Sequence, residues 1–328
     1  MNRMDIITIG SAVNDMVLKP VPNTLLEKSA GVRIPEIVST TGGDALNTAL
    51  DCVKLGLSAG LIAKVGDDQY ANVIHEHLEK RGVDHSQVMT DPKAETSLSF
   101  VCLEPSGEKH VVHTCGANDE LCYEDVDFDY VAKAKFIQYG SANVHKKLDG
   151  EGITKVFRRA KELGLTTSMD VNCNLPPEEC YNNIKDVLSY TDIFFPSDYE
   201  AEIITNGLKT CEEYEEFFSH YGLKILVVKL GAKGVFVTDF KTRRYLSTFH
   251  VDEVLDTTGC GDAFVAAFLT GLSKGWSIWE AAVLGNAVGS MNCQAIGANM
   301  GVGTFEETMA YIKERIQEVP EDLRARFQ

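Results

Sequence analysis

The chain has 328 residues, 44% of them hydrophobic and 24% charged, which suits one large globular domain with a small appendage and excludes collagen, coiled coil and extended disorder. Lys and Arg number 31 against 48 Asp and Glu, and the net charge of −17 repels nucleic acid. It repels nucleotide phosphates as well, so a nucleotide site here requires local compensation from backbone N–H groups, Mg²⁺ or a few lysines.

In chain order, short β-branched runs alternate with helical patterns: a strand at 5–10, a helix at 47–56, a strand at 58–66 and a helix at 71–82. A strand at 135–140 and a helix at 152–164 follow, then strand-like runs at 166–172, 192–197 and 224–231. This rhythm predicts βαβ units in a three-layer α/β fold, with a mostly parallel central sheet flanked by helices. Two stretches break it, 16–43 and 95–116, and the second holds two strand-like runs around PSGE, a hairpin turn signal. They predict a small antiparallel β lid of residues 16–40 and 95–116 on a core of residues 1–15, 41–94 and 117–328. Nine cysteines at irregular spacing form no C-x-x-C pair and no zinc pattern, which predicts free thiols. With no signal-peptide core in MNRMDIITIGSAV and no apolar run of about 18 residues, neither secretion nor a membrane span is expected, and the cytoplasm is the expected location.

The most informative segment is VLDTTGCGDAFVAAFLTGLSKG, residues 254–275. A glycine-rich turn feeds an apolar helix, and the amides and dipole of that helix N-terminus make an anion site suited to phosphate. Asp262 falls in the first helical positions, beside the anion site, where its carboxylate could take a proton from an incoming hydroxyl. Aspartate also caps helices well, and composition leaves both readings open.

DTTGCGDAF at 256–264 resembles the signature of the ribokinase, or carbohydrate kinase, family, and TGGDALNTAL at 41–50 resembles that family's N-terminal G-G-x-x-x-N segment. The resemblance spans nearly the whole chain. It implies an ATP-dependent phosphorylation of a small sugar, with Asp262 as general base and the amides of Gly259, Cys260 and Gly261 as an anion hole. It further implies that Asp15, five residues after Gly10, binds substrate hydroxyls together with Gly42, Gly43 and Asn47. KLGAKG at 229–234 is similar to the family's ATP-contacting turn, with Gly231 and Gly234 constant. Lys229 or Lys233 is a candidate phosphate contact there, against the simpler reading of both as surface lysines, and Asn286 falls on the helix that the family packs against adenine.

Two departures concern metals and substrate. The family's N-x-x-E metal motif is here Ser197 to Glu200, so Mg²⁺ is expected with Glu200 acting through water, and Asp256 matches the aspartate that holds a monovalent cation such as K⁺ in relatives. Asp44 stands where ribokinases carry a lysine, Gly140 and Ser141 where they carry a substrate-facing glutamate, and Asn174 where acid-sugar and fructose-type relatives carry an arginine. A ketose or related neutral sugar ranks first, a 2-keto-3-deoxy sugar acid second and a nucleoside third, the last requiring aromatic lid residues where only Phe100 is offered. His113, Asn118 and His145 are further pocket candidates. A Rossmann dehydrogenase lacks its G-x-G-x-x-G after the first strand. A sugar-binding regulator that had lost the chemistry would have no reason to keep Asp262 with both glycines. Relatives pair through their lids, so a homodimer is expected.

Overall fold

The computed structural model describes residues 4–22, 33–104 and 109–328. Its strands are β1 (Met4–Gly10), β2 (Val13–Lys19), β3 (Glu36–Gly42), β4 (Ala59–Gly66), β5 (Asp84–Asp91), β6 (Leu98–Leu103), β7 (Lys109–Thr114), β8 (Ala134–Ala142), β9 (Thr166–Val171), β10 (Ile193–Phe194), β11 (Ile225–Lys229), β12 (Val235–Thr238) and β13 (Arg243–Leu246). Its α-helices are α1 (Asp44–Lys54), α2 (Gln69–Arg81), α3 (Phe128–Val131), α4 (Glu151–Glu162), α5 (Pro177–Leu188), α6 (Asp198–Ile204), α7 (Cys211–Ser219), α8 (Cys260–Ser273), α9 (Ile278–Asn292) and α10 (Phe305–Glu314).

Nine strands form the central sheet in the order β13-β12-β11-β10-β9-β8-β1-β4-β5. All neighbours are parallel except at one edge, where β12 runs antiparallel to β11 and β13 antiparallel to β12. The central strands are buried on both faces, which is why they read as continuous apolar runs. In β1, Ile6 packs on the layer with α1, α8 and α9, while Ile7 and Ile9 face the layer with α4 and α5. Helix α4 shows the complementary pattern, with Ile153, Val156, Phe157 and Ala160 turned inward at helical spacing. Helix α8 is apolar on all sides because it lies between α1 and α9, and Phe268 meets Phe195 edge to face at 5.3 Å.

From β1 the chain steps outward to β4 and β5, then returns on the other side of β1 as β8 and continues to β9, β10 and β11. The switch point lies between β1 and β8, where open α/β sheets bind ligands beyond the carboxyl ends of their strands. Gly10, Ser141, Asp170 and Lys229 all lie at or near such ends.

A second sheet, β3-β2-β6-β7, comes from the two stretches that broke the helical rhythm. It is wider at its base than expected, starting at Val13 and extending to Gly42. Two of its three pairings are antiparallel, whereas β2 and β6 in its middle are parallel. The sequence separation of that pair explains the direction: β6 enters from β5, so no tight turn joins it to β2. The PSGE turn and residues 23–32 of the expected lid lie outside the described residues. All nine cysteines are free thiols. No helix among the described residues is long and apolar enough to cross a membrane.

Candidate active site

Helix α8 begins at Gly259, whose φ of 72° is left-handed and whose Cβ, if it had one, would stand 1.9 Å from the Ala298 carbonyl oxygen. The loop before it is stapled by Asp256, whose Oδ1 accepts from the amide (2.9 Å) and hydroxyl (2.6 Å) of Thr258 and whose Oδ2 accepts from Gly297 N (3.0 Å). Asn292 ties the same region together, donating to the carbonyls of Thr258 (3.2 Å) and Ala298 (2.8 Å). The Cys260 amide donates to the Thr257 carbonyl at 3.2 Å and closes the turn. Of the three amides expected in the anion hole, those of Gly259 and Gly261 have no backbone acceptor among the described residues, while that of Cys260 is engaged.

Two cavities flank this turn. The first, about 980 Å³, meets Thr258, Gly259 and Asp262; the second, about 770 Å³, meets Thr257, Cys260 and Gly261. None of the described residues lines both.

Asp262 is buried and accepts a 2.9 Å hydrogen bond on Oδ2 from the Asn47 amide. The cap of α8 is Gly259 without any side-chain bond, so the capping role that composition left open for Asp262 is not the one it adopts. Burial drives its carboxyl well above the usual range, the Asp44 charge adds to this, and the Asn47 hydrogen bond and Lys229 oppose it. Asn47 lines the first cavity, and its Oδ1 is buried with no hydrogen-bond partner among the described residues.

The other expected substrate residues converge on that cavity. Asp15 reaches it from β2, and Gly42 and Gly43 line it before α1. At Gly42 a Cβ would stand 2.2 Å from Asp15 Oδ2, so only glycine lets the carboxylate lie against the strand. Asp44 also lines the cavity, bonded to the Ser141 side chain; burial and the nearby Asp170 raise its carboxyl. His113 reaches the cavity from β7, with Nδ1 3.0 Å from Ser99 Oγ. His145 is fully buried with both ring nitrogens engaged, 3.1 Å from Ser11 Oγ and 3.0 Å from the Tyr139 hydroxyl, and burial lowers its pKa to about 4. Asn118 is buried, accepts the Ala12 amide at 3.2 Å and does not line the cavity.

The second cavity collects the residues expected to contact nucleotide: Lys229, Gly231, Gly234 and Asn286. Asn286 also fastens the end of β13, donating to the carbonyls of Leu246 (3.2 Å) and Ser247 (3.1 Å). Lys233 is exposed, as a surface lysine should be, but Lys229 is not one. Its side chain is 16% exposed and its Nζ lies 2.9 Å from both oxygens of Asp170. Burial pulls its pKa down, but Asp170 and Glu200 outweigh this and leave it raised and charged.

Glu200 faces the second cavity from a capping box at the start of α6: its Oε2 accepts Ser197 N at 2.7 Å, and Ser197 Oγ accepts Glu200 N at 3.2 Å. Burial raises its pKa to about 7, with Lys229 opposing. Among the described residues no three His, Cys, Asp or Glu side chains are gathered tightly enough to hold a metal alone. Glu200 offers the second cavity one carboxylate, an oxygen donor of the kind Mg²⁺ takes. Asp256 lines neither cavity, and its carboxylate is taken up by the loop bonds described above.

Asp170 is the site residue that sequence reasoning passed over. Its signal was a carboxylate ending a buried strand, in the run Asp170-Val171-Asn172, but its cation lies two strands away on β11.

The chain superimposes on a ribokinase from Thermotoga maritima with a TM-score of 0.82 at 25% identity, covering 94% of this chain and 99% of that one. A ribokinase of Arabidopsis thaliana, solved with ribose and ATP, gives a TM-score of 0.82 at 23% identity over 95% of this chain and 99% of that one. This architecture is the ribokinase-like fold. In sequence, the chain is 30% identical to probable fructokinase-3 of Arabidopsis thaliana over 294 residues, 86% of this chain and 85% of the relative. Residues 3–303 match the pfkB family of carbohydrate kinases, and the chain belongs to that family.

Proposed function

We propose that this sugar kinase transfers the γ-phosphoryl of ATP directly to a hydroxyl of a neutral ketose-type sugar, with Asp262 as general base. The observation that carries the reading is the placement of Asp262 on the turn dividing the two cavities, facing the first and held by Asn47. Asp262 accepts the hydroxyl proton as the hydroxyl oxygen bonds to the γ-phosphorus. The bond from phosphorus to its bridging oxygen breaks, and that electron pair leaves with ADP. The free amides of Gly259 and Gly261 point donors at the charge that develops. Asp15 and Asn47 orient the sugar, and Gly231, Gly234 and Asn286 border the nucleotide. Mg²⁺, when bound, neutralises phosphate charge, and Glu200 would hold it through water.

The lining of the first cavity supports a neutral substrate. Asp15, Asp44, Asp119, Asp149, Glu179 and Asp262 line it, against Lys146 as its sole Lys or Arg among the described residues. A sugar acid would meet repulsion there. No Phe, Tyr or Trp of the described residues lines it; Phe100 itself is turned away, between the cavity-lining Ser99 and Val101. A nucleoside would therefore lack a stacking surface. The fructokinase relatives make fructose the first sugar to try. The test is an ADP-release screen across neutral ketoses, aldoses, sugar acids and nucleosides. The highest kcat/KM is expected for a neutral ketose, and a higher value for a 2-keto-3-deoxy acid or a nucleoside would overturn the assignment.

The outer face of the small sheet exposes Ile37, Phe100 (41%) and Val112 (67%), an apolar strip suited to pairing with a second copy. We read it as a dimer surface. Sedimentation at micromolar concentration should give twice the chain mass, and a single-chain mass would remove the proposal.

A further inference from the structure

The second cavity has to accept a triphosphate in a chain of net charge −17, and Lys229 is the only Lys or Arg among the described residues that line it. Its location is specific. A Cβ placed on Gly261 would find Lys229 Nζ as its nearest neighbour, at 3.4 Å, so the ammonium lies beside Gly261 of the turn. The backbone of Lys229 is fixed by its amide, which donates to the Pro196 carbonyl at 2.8 Å, and by a bridge to Ser197. Its side chain is fixed by Asp170, whose two oxygens each take one N–H at 2.9 Å. An ammonium carries three donors, so one remains. Asp170 is buried and lines neither cavity.

A purely structural pair joining β9 to β11 is the competing explanation. Buried ion pairs contribute little net stability relative to apolar residues of the same size. A pair placed only for cohesion also gains nothing from standing beside the turn or from leaving a donor free.

We propose that Lys229 is a catalytic residue that binds the oxygens of the transferring phosphoryl group together with the Gly261 amide, and that Asp170 is the positioning residue that holds its ammonium there. This rests on the kinase reading above. The lysine stem is long and flexible, and fixing it in advance on Asp170 removes the ordering cost from the transfer itself. The charge then acts where the phosphoryl oxygens gather negative charge between the breaking and forming bonds.

The test compares Lys229→Met, Lys229→Arg, Asp170→Asn and Asp170→Glu with the wild type. It uses steady-state kinetics with ATP, Mg²⁺ and fructose, and calorimetric binding of Mg²⁺–ADP with and without fluoroaluminate, a planar mimic of the phosphoryl in transit. Lys229→Met should lower kcat by about 10²–10³-fold with the sugar KM changed less than about 3-fold. Its affinity for the fluoroaluminate complex should fall by a similar factor, and that for ADP alone by less than about 3-fold. Lys229→Arg should recover part of the loss. Asp170→Asn should show the same split at about 10-fold, with Asp170→Glu closer to wild type. A Lys229→Met enzyme with kcat within about 3-fold of wild type, or with equal losses for ADP alone and for the mimic, overturns the catalytic role. Unchanged kcat in Asp170→Asn overturns the positioning role. If Lys229→Met does not fold, Lys229→Arg and Asp170→Asn decide through the same binding comparison. A wild type that turns over none of the screened compounds breaks the kinase reading instead, and the mimic-binding difference still decides for or against Lys229.

Discussion

Asp262→Asn is expected to lower kcat by about 10²–10⁴-fold, the usual worth of a positioned general base, while ADP affinity stays within about 3-fold of wild type. The amide keeps the shape of the carboxylate and can still meet Asn47, which now holds Asp262 Oδ2 at 2.9 Å, so the turn and both cavities should survive. What disappears is the proton acceptor. The wild type should lose activity as pH falls, because a protonated Asp262 cannot act as base. Burial and the Asp44 charge raise its carboxyl, so that acid limb should lie above the ordinary aspartate range. The residual rate of Asp262→Asn should lack that limb. Coupled ADP-release kinetics across pH read both effects, and near-normal turnover in the variant would remove Asp262 from the mechanism.

Gly259→Ala should be nearly as damaging, with kcat down about 10²-fold, although the change adds one methyl group and removes no functional side chain. The new Cβ would fall 1.9 Å from the Ala298 carbonyl oxygen, which is held by Asn292 at 2.8 Å and cannot easily withdraw. The φ of 72° adds about 1–2 kcal/mol for any L side chain. The turn must shift, and the amides of Gly259 and Gly261 move with Asp262 away from the sugar. Kinetics combined with calorimetry should show lower kcat and a lowered Tm. Wild-type kcat in a folded Gly259→Ala would mean that the turn tolerates displacement and that its amides are not the anion hole.

Much of this architecture is legible locally. The parallel strands announce themselves as apolar runs because both faces are buried, and the start of α8 announces itself because a left-handed residue beside a carbonyl leaves room only for glycine. What stays hidden is set by contacts between distant segments. Asn47 and Asp262 are 215 residues apart, and composition cannot show that the aspartate is held by an amide and does not cap its helix. Lys229 reads as a surface lysine because KLGAKG looks like a polar turn, yet its carbon stem begins on a buried strand and its partner Asp170 is 59 residues away. Glu200 illustrates an overlap of roles: the same carboxylate closes a capping box and faces the second cavity. The parallel pairing of β2 with β6 is likewise a matter of chain entry, which local patterning does not encode.

The turn from Thr257 to Asp262 divides its residues between the two cavities, and none of the described residues lines both. On the proposed reading, sugar recognition and nucleotide recognition are thereby written in separate sets of side chains, with a glycine-rich partition between them. On that reading, replacements among Asn172, Asn174 and Lys146 would alter the first cavity without changing a side chain that lines the second. Such a partition lets one phosphorylating machine diversify its acceptors while its donor half stays constant.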